Sequence, residues 1–254
     1  MRILLTNDDG IHAEGLESLE RIARAISDDI WIVAPESEQS GASHSLSLSD
    51  PLRLRKIGER RFAVLGTPTD CVLMAARKVM PVVPDLVLSG VNRGQNIADD
   101  VTYSGTIAAA MEGTTLGIKS FALSQVIGIH NRDALTYDVA EKHGAAVLKQ
   151  LVDLPLGPGV LLNINFPDCR PDEVVGVEVT RQGKRDQNLL HIDERKDTRG
   201  RPYYWLGFQR ERGNPPVGTD LRAAFEKRIS VTPLHMNLTQ LDAFEPLRKA
   251  LEKM

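Results

Sequence analysis

Residues 1–34 read MRILLTNDDGIHAEGLESLERIARAISDDIWIVA, and this stretch decides the fold. Residues 2–7 form a short run that predicts a buried strand, which stops at the acidic turn Asp8-Asp9-Gly10. A helical stripe of apolar residues follows, and residues 30–34 form a second apolar run. Strand, helix and strand in so short a space are typical of a βαβ unit with parallel strands.

The alternation of strands and helices continues over residues 1–180. Further strands are predicted at residues 62–65, 85–89, 119–124, 161–165 and 174–179. Further helices are predicted after Pro68, over residues 105–116 and over residues 133–151. Residues 46–49 and 52–55 alternate with period two on either side of Asp50, which predicts a hairpin or an extended ribbon. The expected class is α/β, a Rossmann-like, doubly wound, mostly parallel sheet.

Residues 181–254 have a different character. Residues 186–212 are crowded with charge but include strand-like residues 203–206, with a plausible turn at Arg199-Gly200. A Pro/Gly loop, a short helix, a strand at residues 229–232 and a final helix follow. The interpretation is an α/β core over residues 1–180 that carries the site, and a hairpin arm with a terminal helix over residues 181–254. Such an arm often docks on another subunit, and folding back on its own core is the alternative.

The composition is that of an ordinary soluble globular protein, with 42% hydrophobic and 26% charged residues. A formal net charge of -3 gives no sign of attraction to nucleic-acid polymers or anionic membranes. Cys71 and Cys169 lack the spacing of a zinc site or a disulfide framework, so they are expected to be reduced and buried. No signal peptide or membrane span is expected, and the predicted location is cytoplasmic.

Asp8 and Asp9 are the first candidate site, because open parallel sheets bind ligands at the carboxyl ends of their strands. Two adjacent carboxylates repel each other, and a partly buried pair needs a compensating cation. Oxygen ligands favour Mg²⁺, Mn²⁺ or Ca²⁺ over a thiophilic metal. The alternative is that one Asp caps the following helix and the other faces water.

Polar loops follow two other predicted strands: residues 37–43 are rich in hydroxyl groups, and residues 90–96 in Gly and Asn. Both could offer oxygen ligands and closely approaching N–H groups, although the same residue types dominate ordinary turns. Residues 102–110 are the strongest phosphate candidate, because small residues run directly into a helix whose free N–H groups and dipole favour an anion. Ser104 and Thr106 would add hydroxyl donors, with a simple N-cap as the alternative.

Missing motifs argue against several other classes. There is no P-loop, no G-x-G-x-x-G fingerprint after the first strand and no G-x-S-x-G elbow. His12 and His44 lie near the predicted site, and each is expected at the surface or behind the ligands. A receiver-type phospho-acceptor module also carries two acidic residues after its first strand, but Asp85 begins its strand instead of ending it, and the chain is too long.

A set of stretches, in order along the chain, resembles the SurE (survival protein E) family of 5′/3′-nucleotidases. They are ILLTNDDG at 3–10, VAP at 33–35, SGAS at 40–43, GTP at 66–68 with DC at 70–71, SGVN at 89–92, DDVTYSGT at 99–106, GTD at 218–220 and SVTPL at 230–234. The resemblance implies a Rossmann-like core and C-terminal segments that exchange between the subunits of a dimer or tetramer.

The resemblance also implies a site. One divalent metal ion per subunit, Mg²⁺ or Mn²⁺, would be held by Asp8, Asp9, Ser40 and Asn92. The family's phosphate-contacting positions fall on Asn96, Ser104, Gly105 and Thr106.

Residues and resemblance together predict a metal-dependent, acid-phosphatase-like phosphomonoesterase of nucleoside 5′- and 3′-monophosphates, with short polyphosphate added by resemblance alone. In this hypothesis Asp8 orients or deprotonates the attacking water, Asp9 is chiefly a ligand, and Asn96 helps to hold the phosphate oxygens. The rival hypothesis is a non-catalytic nucleotide-binding or stress-response assembly protein that has kept the site and lost turnover.

Overall fold

The computed structural model describes residues 1–128, 136–185, 190–208 and 214–252. Its strands are β1 (Arg2–Thr6), β2 (Asp29–Pro35), β3 (Arg53–Lys56), β4 (Arg61–Leu65), β5 (Leu86–Arg93), β6 (Lys119–Gln125), β7 (Val160–Phe166), β8 (Gly176–Val179), β9 (Leu190–Lys196), β10 (Pro202–Phe208) and β11 (Arg228–His235). Its α-helices are α1 (Glu14–Arg24), α2 (Pro68–Met74), α3 (Gly105–Thr115), α4 (Asp138–Leu151), α5 (Asp220–Phe225) and α6 (Phe244–Leu251).

Within the described ranges, nine strands form one sheet in the order β3-β4-β2-β1-β5-β6-β7-β11-β8. The six adjacent strands β4-β2-β1-β5-β6-β7 run parallel to one another. The chain moves outward from β1 through β2 to β4 and then crosses back to β5 on the other side of β1. This reversal makes β1 and β5 the topological switch point, where doubly wound folds bind their ligands. The predicted fold class is confirmed.

The apolar residues of β1 alternate between the two faces of the sheet. Ile3 and Leu5 belong to a core cluster that includes Leu16 and Leu19 of α1, together with residues of α4. Leu4, between them, belongs to a second cluster with residues of α2 and α3. Both faces of β1 are therefore covered by helices, which is why the strand is apolar at consecutive positions rather than alternately polar.

The predicted hairpin around Asp50 is wrong. Residues 46–49 form no strand, and β3 pairs antiparallel with β4 instead, across the turn at residues 57–60. The loop before β3 makes polar contacts with α2, where the Ser47 hydroxyl donates to Asp70 Oδ2 at 2.6 Å. Period-two alternation identified β3 correctly but could not identify its partner, since residues 46–49 and residues 62–65 were both candidate strands beside it.

The predicted helix over residues 133–151 begins later, at Asp138. Residues 133–135 lie outside the described residues, and Tyr137 precedes the helix as a buried side chain. The other predicted strands and helices are present, with bounds that differ by a few residues.

Residues 181–254 contribute one strand to the nine-stranded sheet and form a separate two-stranded sheet. Strand β11 lies between β7 and β8, antiparallel to β7 and parallel to β8. The predicted hairpin is present as β9 and β10, which pair antiparallel and expose Tyr203, Tyr204 and Trp205. In the described parts of the chain, no helix has the length and apolarity that a membrane crossing requires.

Helix α3 approaches the sheet closely, and Gly113 permits this approach. A Cβ added at Gly113 would lie 2.9 Å from Val87 Cγ2 on β5. The Gly113→Ala protein is therefore expected to lose about 1–3 kcal/mol of unfolding free energy, measured by urea denaturation. Gly157→Ala is the matched control, because an added Cβ there meets nothing within 4 Å, and it should change stability by no more than about 1 kcal/mol. Equal losses in both variants would contradict this account of α3.

Candidate active site

The acidic pair lies in a tight turn at the carboxyl end of β1. The side chain of Asn7 closes the turn, since its Oδ1 accepts from Gly10 N at 3.2 Å and its Nδ2 donates to Gly10 O at 2.9 Å. Gly10 has φ of +106°, a conformation that favours glycine. This turn places Asp8 and Asp9 at the switch point, with Asp8 only 4% exposed and Asp9 half-buried.

The N-terminus of α3 packs directly on Asp8. Thr106 Oγ1 donates to Asp8 Oδ1 at 2.5 Å, and a Cβ added at Gly105 would lie 2.8 Å from Asp8 Cβ. Burial raises the pKa of Asp8 to about 6, the charge of Asp9 adds to the rise, and the hydrogen bonds from Thr106 oppose it. The positive end of the helix dipole thus lies beside a carboxylate that has little contact with water.

Asp9 is tied to the end of β5. Its Oδ2 accepts from the backbone N of Arg93 at 3.1 Å. Burial raises the pKa of Asp9, the Arg93 hydrogen bond opposes the rise, and the nearby Glu38 carboxylate adds to it. Asn92, next to Arg93, donates its Nδ2 to Gly94 O at 2.8 Å, so its amide oxygen is left for another partner.

Ser40 follows β2 in an exposed loop that the acidic turn anchors. Gln39 N donates to Asp8 O at 2.7 Å, which brings this loop to the acidic pair. The Ser40 hydroxyl itself donates to Glu38 Oε1 at 2.8 Å. A hydroxyl that donates its proton keeps its oxygen lone pairs, so Ser40 can still act as a ligand.

Asn96 is buried in a network of amides that the sequence argument missed. Its backbone N donates to Asn165 Oδ1 at 2.9 Å, and its carbonyl accepts from Asn163 Nδ2 at 2.7 Å. Its side-chain Nδ2 donates to Ser124 Oγ at 2.9 Å. The signal was visible in LLNINF at residues 161–166, where two Asn residues two positions apart interrupt an otherwise apolar strand. Buried amides are retained only where they have partners.

Ser104 is the N-cap of α3, because its Oγ accepts from Ile107 N at 3.1 Å. Ser104 therefore caps the helix, and its contact with a phosphate stays a prediction. The Thr106 hydroxyl donates to Asp8, whereas the Ser104 hydroxyl accepts from Ile107 N and keeps its own proton to donate. Donors for a phosphate at this end would be the first backbone N–H groups of the helix and the Ser104 hydroxyl.

The two histidines considered from sequence do not contact the acidic pair. His12 is exposed. His44 Nε2 lies 3.0 Å from Glu112 Oε2, a buried carboxylate on α3. His44 therefore helps to hold the loop that carries Ser40 against the helix that carries Thr106.

The oxygen donors at the switch point fit a hard divalent cation. Asp8 and Asp9 are adjacent carboxylates with raised pKa values, and a cation beside them would offset the cost of their burial. No group of three or more His, Cys, Asp or Glu residues that could hold a metal occurs among the described residues.

Comparisons with known proteins agree with this architecture. The family model described as "Survival protein SurE" matches residues 3–189. The chain belongs to the SurE family. Among SurE relatives, one named 5′-nucleotidase SurE from Methylobacterium radiotolerans is 62% identical over 240 residues, or 94% of each chain. Another of that name, from Parvibaculum lavamentivorans, is 60% identical over 252 residues, or 99% of this chain and 91% of that one.

The SurE fold is also shared with a solved structure. The crystal structure of the SurE protein from Aquifex aeolicus aligns with a TM-score of 0.85 at 35% identity, covering 98% of this chain and 99% of that one. The resemblance inferred from sequence is thereby confirmed.

Metal-free Asp8→Asn protein is expected to be more stable than wild type at about pH 8. Because the folded-state pKa of Asp8 is raised from 3.8 to about 6, its ionised form destabilises the folded state by about 3 kcal/mol. This cost is absent below the unfolded-state pKa and complete above the folded-state pKa, so the gain should appear as pH rises between these values. Chemical denaturation in chelator tests this, with the exposed Asp153→Asn as control. A variant no more stable than wild type at about pH 8 would contradict the burial argument.

Proposed function

We propose that the chain is a divalent-metal-dependent phosphomonoesterase that hydrolyses nucleoside 5′- and 3′-monophosphates to nucleoside and phosphate. The observation that carries the proposal is the contact between Asp8 and the first turn of α3, with Asp9 alongside at the switch point. Carboxylates that could bind a cation lie next to a helix end that could bind an anion, and this combination supports the hydrolysis of a phosphate ester. The names of the relatives, 5′-nucleotidase SurE, supply the substrate class.

Asp8, Asp9, Ser40 and Asn92 are the residues that would hold one Mg²⁺ or Mn²⁺ ion. Such an ion supplies charge neutralisation on the ester and a lowered pKa of water at the site. Asp9 serves chiefly as a ligand, because its Oδ2 is fixed by Arg93 N and its charge completes the acidic pair.

The remaining chemistry belongs to the protein. Asp8 orients the attacking water and accepts its proton. The water oxygen bonds to phosphorus as the bond to the nucleoside oxygen breaks, and that oxygen takes a proton from solvent. The first N–H groups of α3, with Ser104, Gly105 and Thr106, and the Asn96 side chain hold the phosphate oxygens as charge redistributes. No covalent phosphoenzyme is formed.

The proposal extends to partners and to further substrates. The site recognises a terminal phosphoryl group, so short polyphosphate is a further substrate. Residues 181–254 are proposed to form an arm that exchanges between subunits of a homodimer or homotetramer, and the core of residues 1–180 carries the site. The exposed aromatics of the β9–β10 hairpin, with Trp205 59% exposed, support this role.

Phosphate release from a panel of 5′- and 3′-nucleoside monophosphates tests the proposed reaction. Release is expected with Mn²⁺ or Mg²⁺, and chelator should abolish it. Asp9→Ala should lower kcat/KM by at least about a hundredfold, because it removes a metal ligand. The matched control is Asp153→Ala, an exposed aspartate far along the sequence that should keep wild-type activity.

The same panel of substrates distinguishes the proposed enzyme from a non-catalytic nucleotide-binding protein. Folded protein that binds nucleotides but releases no phosphate with any metal ion would favour the non-catalytic binding protein. Phosphate release that persists in chelator would show a phosphatase that needs no metal ion and would contradict the proposed metal dependence.

Metal affinity is expected to fall as pH drops below about 6, because Asp8 must lose its proton to act as a ligand. The Kd for Mn²⁺ should rise about tenfold per pH unit for each proton displaced. Isothermal titration calorimetry at about pH 5 and about pH 7.5 measures the change, and buffers of different ionisation enthalpy count the protons released. Asp8→Asn should bind more weakly and show a flatter pH profile. Identical affinities at both pH values would exclude Asp8 as a titrating ligand.

A further inference from the structure

The segment between β5 and α3 carries two of the proposed phosphate-binding residues and has an unusual backbone. It holds Asn96 near its start and Ser104 at its end, and its middle forms a 3₁₀ helix, Ala98–Thr102. Ala98 has φ of +54°, a left-handed conformation that alanine rarely adopts. Such a residue persists only where its surroundings hold it in place.

Asp220 supplies part of that restraint. This carboxylate is fully buried at the start of α5, and its Oδ2 accepts from Ala98 N at 2.8 Å. Its Oδ1 accepts from Gly183 N and Leu221 N, each at 2.8 Å. One side chain therefore joins three segments that are far apart in sequence. Burial raises the pKa of Asp220, and the three backbone donors oppose the rise.

Gln182 and Arg185, near the start of the C-terminal segment, form further hydrogen bonds with the same 3₁₀ helix. Gln182 Nε2 donates to Ala98 O at 2.9 Å, so both backbone polar groups of Ala98 are bonded to C-terminal residues. Arg185 N donates to Asp99 Oδ2 at 2.7 Å. The Arg185 guanidinium forms a bidentate pair with Asp100, through Nη2 to Oδ2 at 2.6 Å and Nε to Oδ1 at 2.9 Å. Bidentate pairs fix geometry as well as charge.

We infer that Asp220 and Arg185 are positioning residues for the phosphate site, acting through the backbone of Ala98 and through Asp100. This inference rests on the proposed function, because the phosphate site is itself part of that proposal. It also assigns a role to the GTD motif at residues 218–220, which contributes neither a proposed metal ligand nor a proposed phosphate contact. Thr219 caps α5 by accepting from Arg222 N, which leaves the Asp220 carboxylate for Ala98. We call Asp220 and Arg185, with their bonds to residues 98–100, the clamp. The clamp fixes the position of Asn96 relative to the first turn of α3.

Asp220→Asn is the first test. The amide keeps the shape of the side chain but has one acceptor oxygen, so either Ala98 N or both Gly183 N and Leu221 N lose their partner. The expected result is a fall in kcat/KM of roughly 10- to 100-fold, mainly in kcat, with a weaker competitive inhibition by inorganic phosphate. Glu141→Gln is the matched control, because Glu141 accepts hydrogen bonds from Ser18 and Arg21 of α1 and not from the loop before α3. It should lose stability without losing turnover.

Variants of Arg185 provide a second test, which can be made even if Asp220→Asn folds poorly. Arg185→Met and Asp100→Asn should each lower kcat/KM, and the double variant should lose no more than the larger single loss. Arg185→Lys should restore only part of the activity, since an ammonium group cannot form the bidentate pair. Additive losses, or an Arg185→Met enzyme with wild-type kinetics, would overturn the inference.

Hydrogen exchange separates this inference from the proposed function. Backbone amides in residues 96–106 should exchange faster in Asp220→Asn and Arg185→Met than in wild type and Glu141→Gln, whether or not the protein hydrolyses nucleotides. If wild type releases no phosphate, the proposed function fails and the exchange and phosphate-binding data still test the clamp. Unchanged exchange over residues 96–106 in both variants would refute the clamp even in an active enzyme.

Discussion

The structure depends on the contact between a buried carboxylate and the end of a helix. Asp8 lies against the first turn of α3, where the Thr106 hydroxyl donates to it and the missing side chain of Gly105 lets the helix approach. Burial makes this carboxylate costly to ionise, and the helix dipole and the hydroxyl recover part of that cost. The rest of the cost is what the proposed cation would offset.

The switch point is built by topology rather than by any one loop. Because the chain passes outward on one side of β1 and returns on the other, the ends of β1, β2 and β5 meet over the same crevice. The loop after β2 reaches Asp8 through Gln39, and the end of β5 reaches Asp9 through Arg93. Each strand thus delivers one part of the site by its position in the sheet, while the backbone contacts between the loops set the final spacing.

Local patterns in the sequence predicted most of this fold because the parallel strands are buried on both faces and are therefore almost uniformly apolar. The same patterns placed Asp8 and Asp9 at a strand end and Ser104 at a helix start. They showed two Asn residues interrupting an apolar strand but not their partners, because the contacts of Asn163, Asn165 and Asp220 with the loop before α3 span between 67 and 122 residues of sequence. They also paired β3 with the wrong run, since period-two alternation identifies a strand without its neighbour. Family resemblance supplied the ligand set, which the dipeptide alone left open between a metal site and a helix cap.

The position of β11 has a consequence for how the protein is made. This strand covers the open edge of β7, although the β9–β10 hairpin and α5 separate the two strands in sequence. During synthesis, β7 therefore emerges from the ribosome before the strand that pairs with its edge. A chain interrupted before Asp220 would lack both β11 and the carboxylate that accepts from Ala98 N. Such a chain presents an unpaired strand edge, which favours aggregation and requires chaperones.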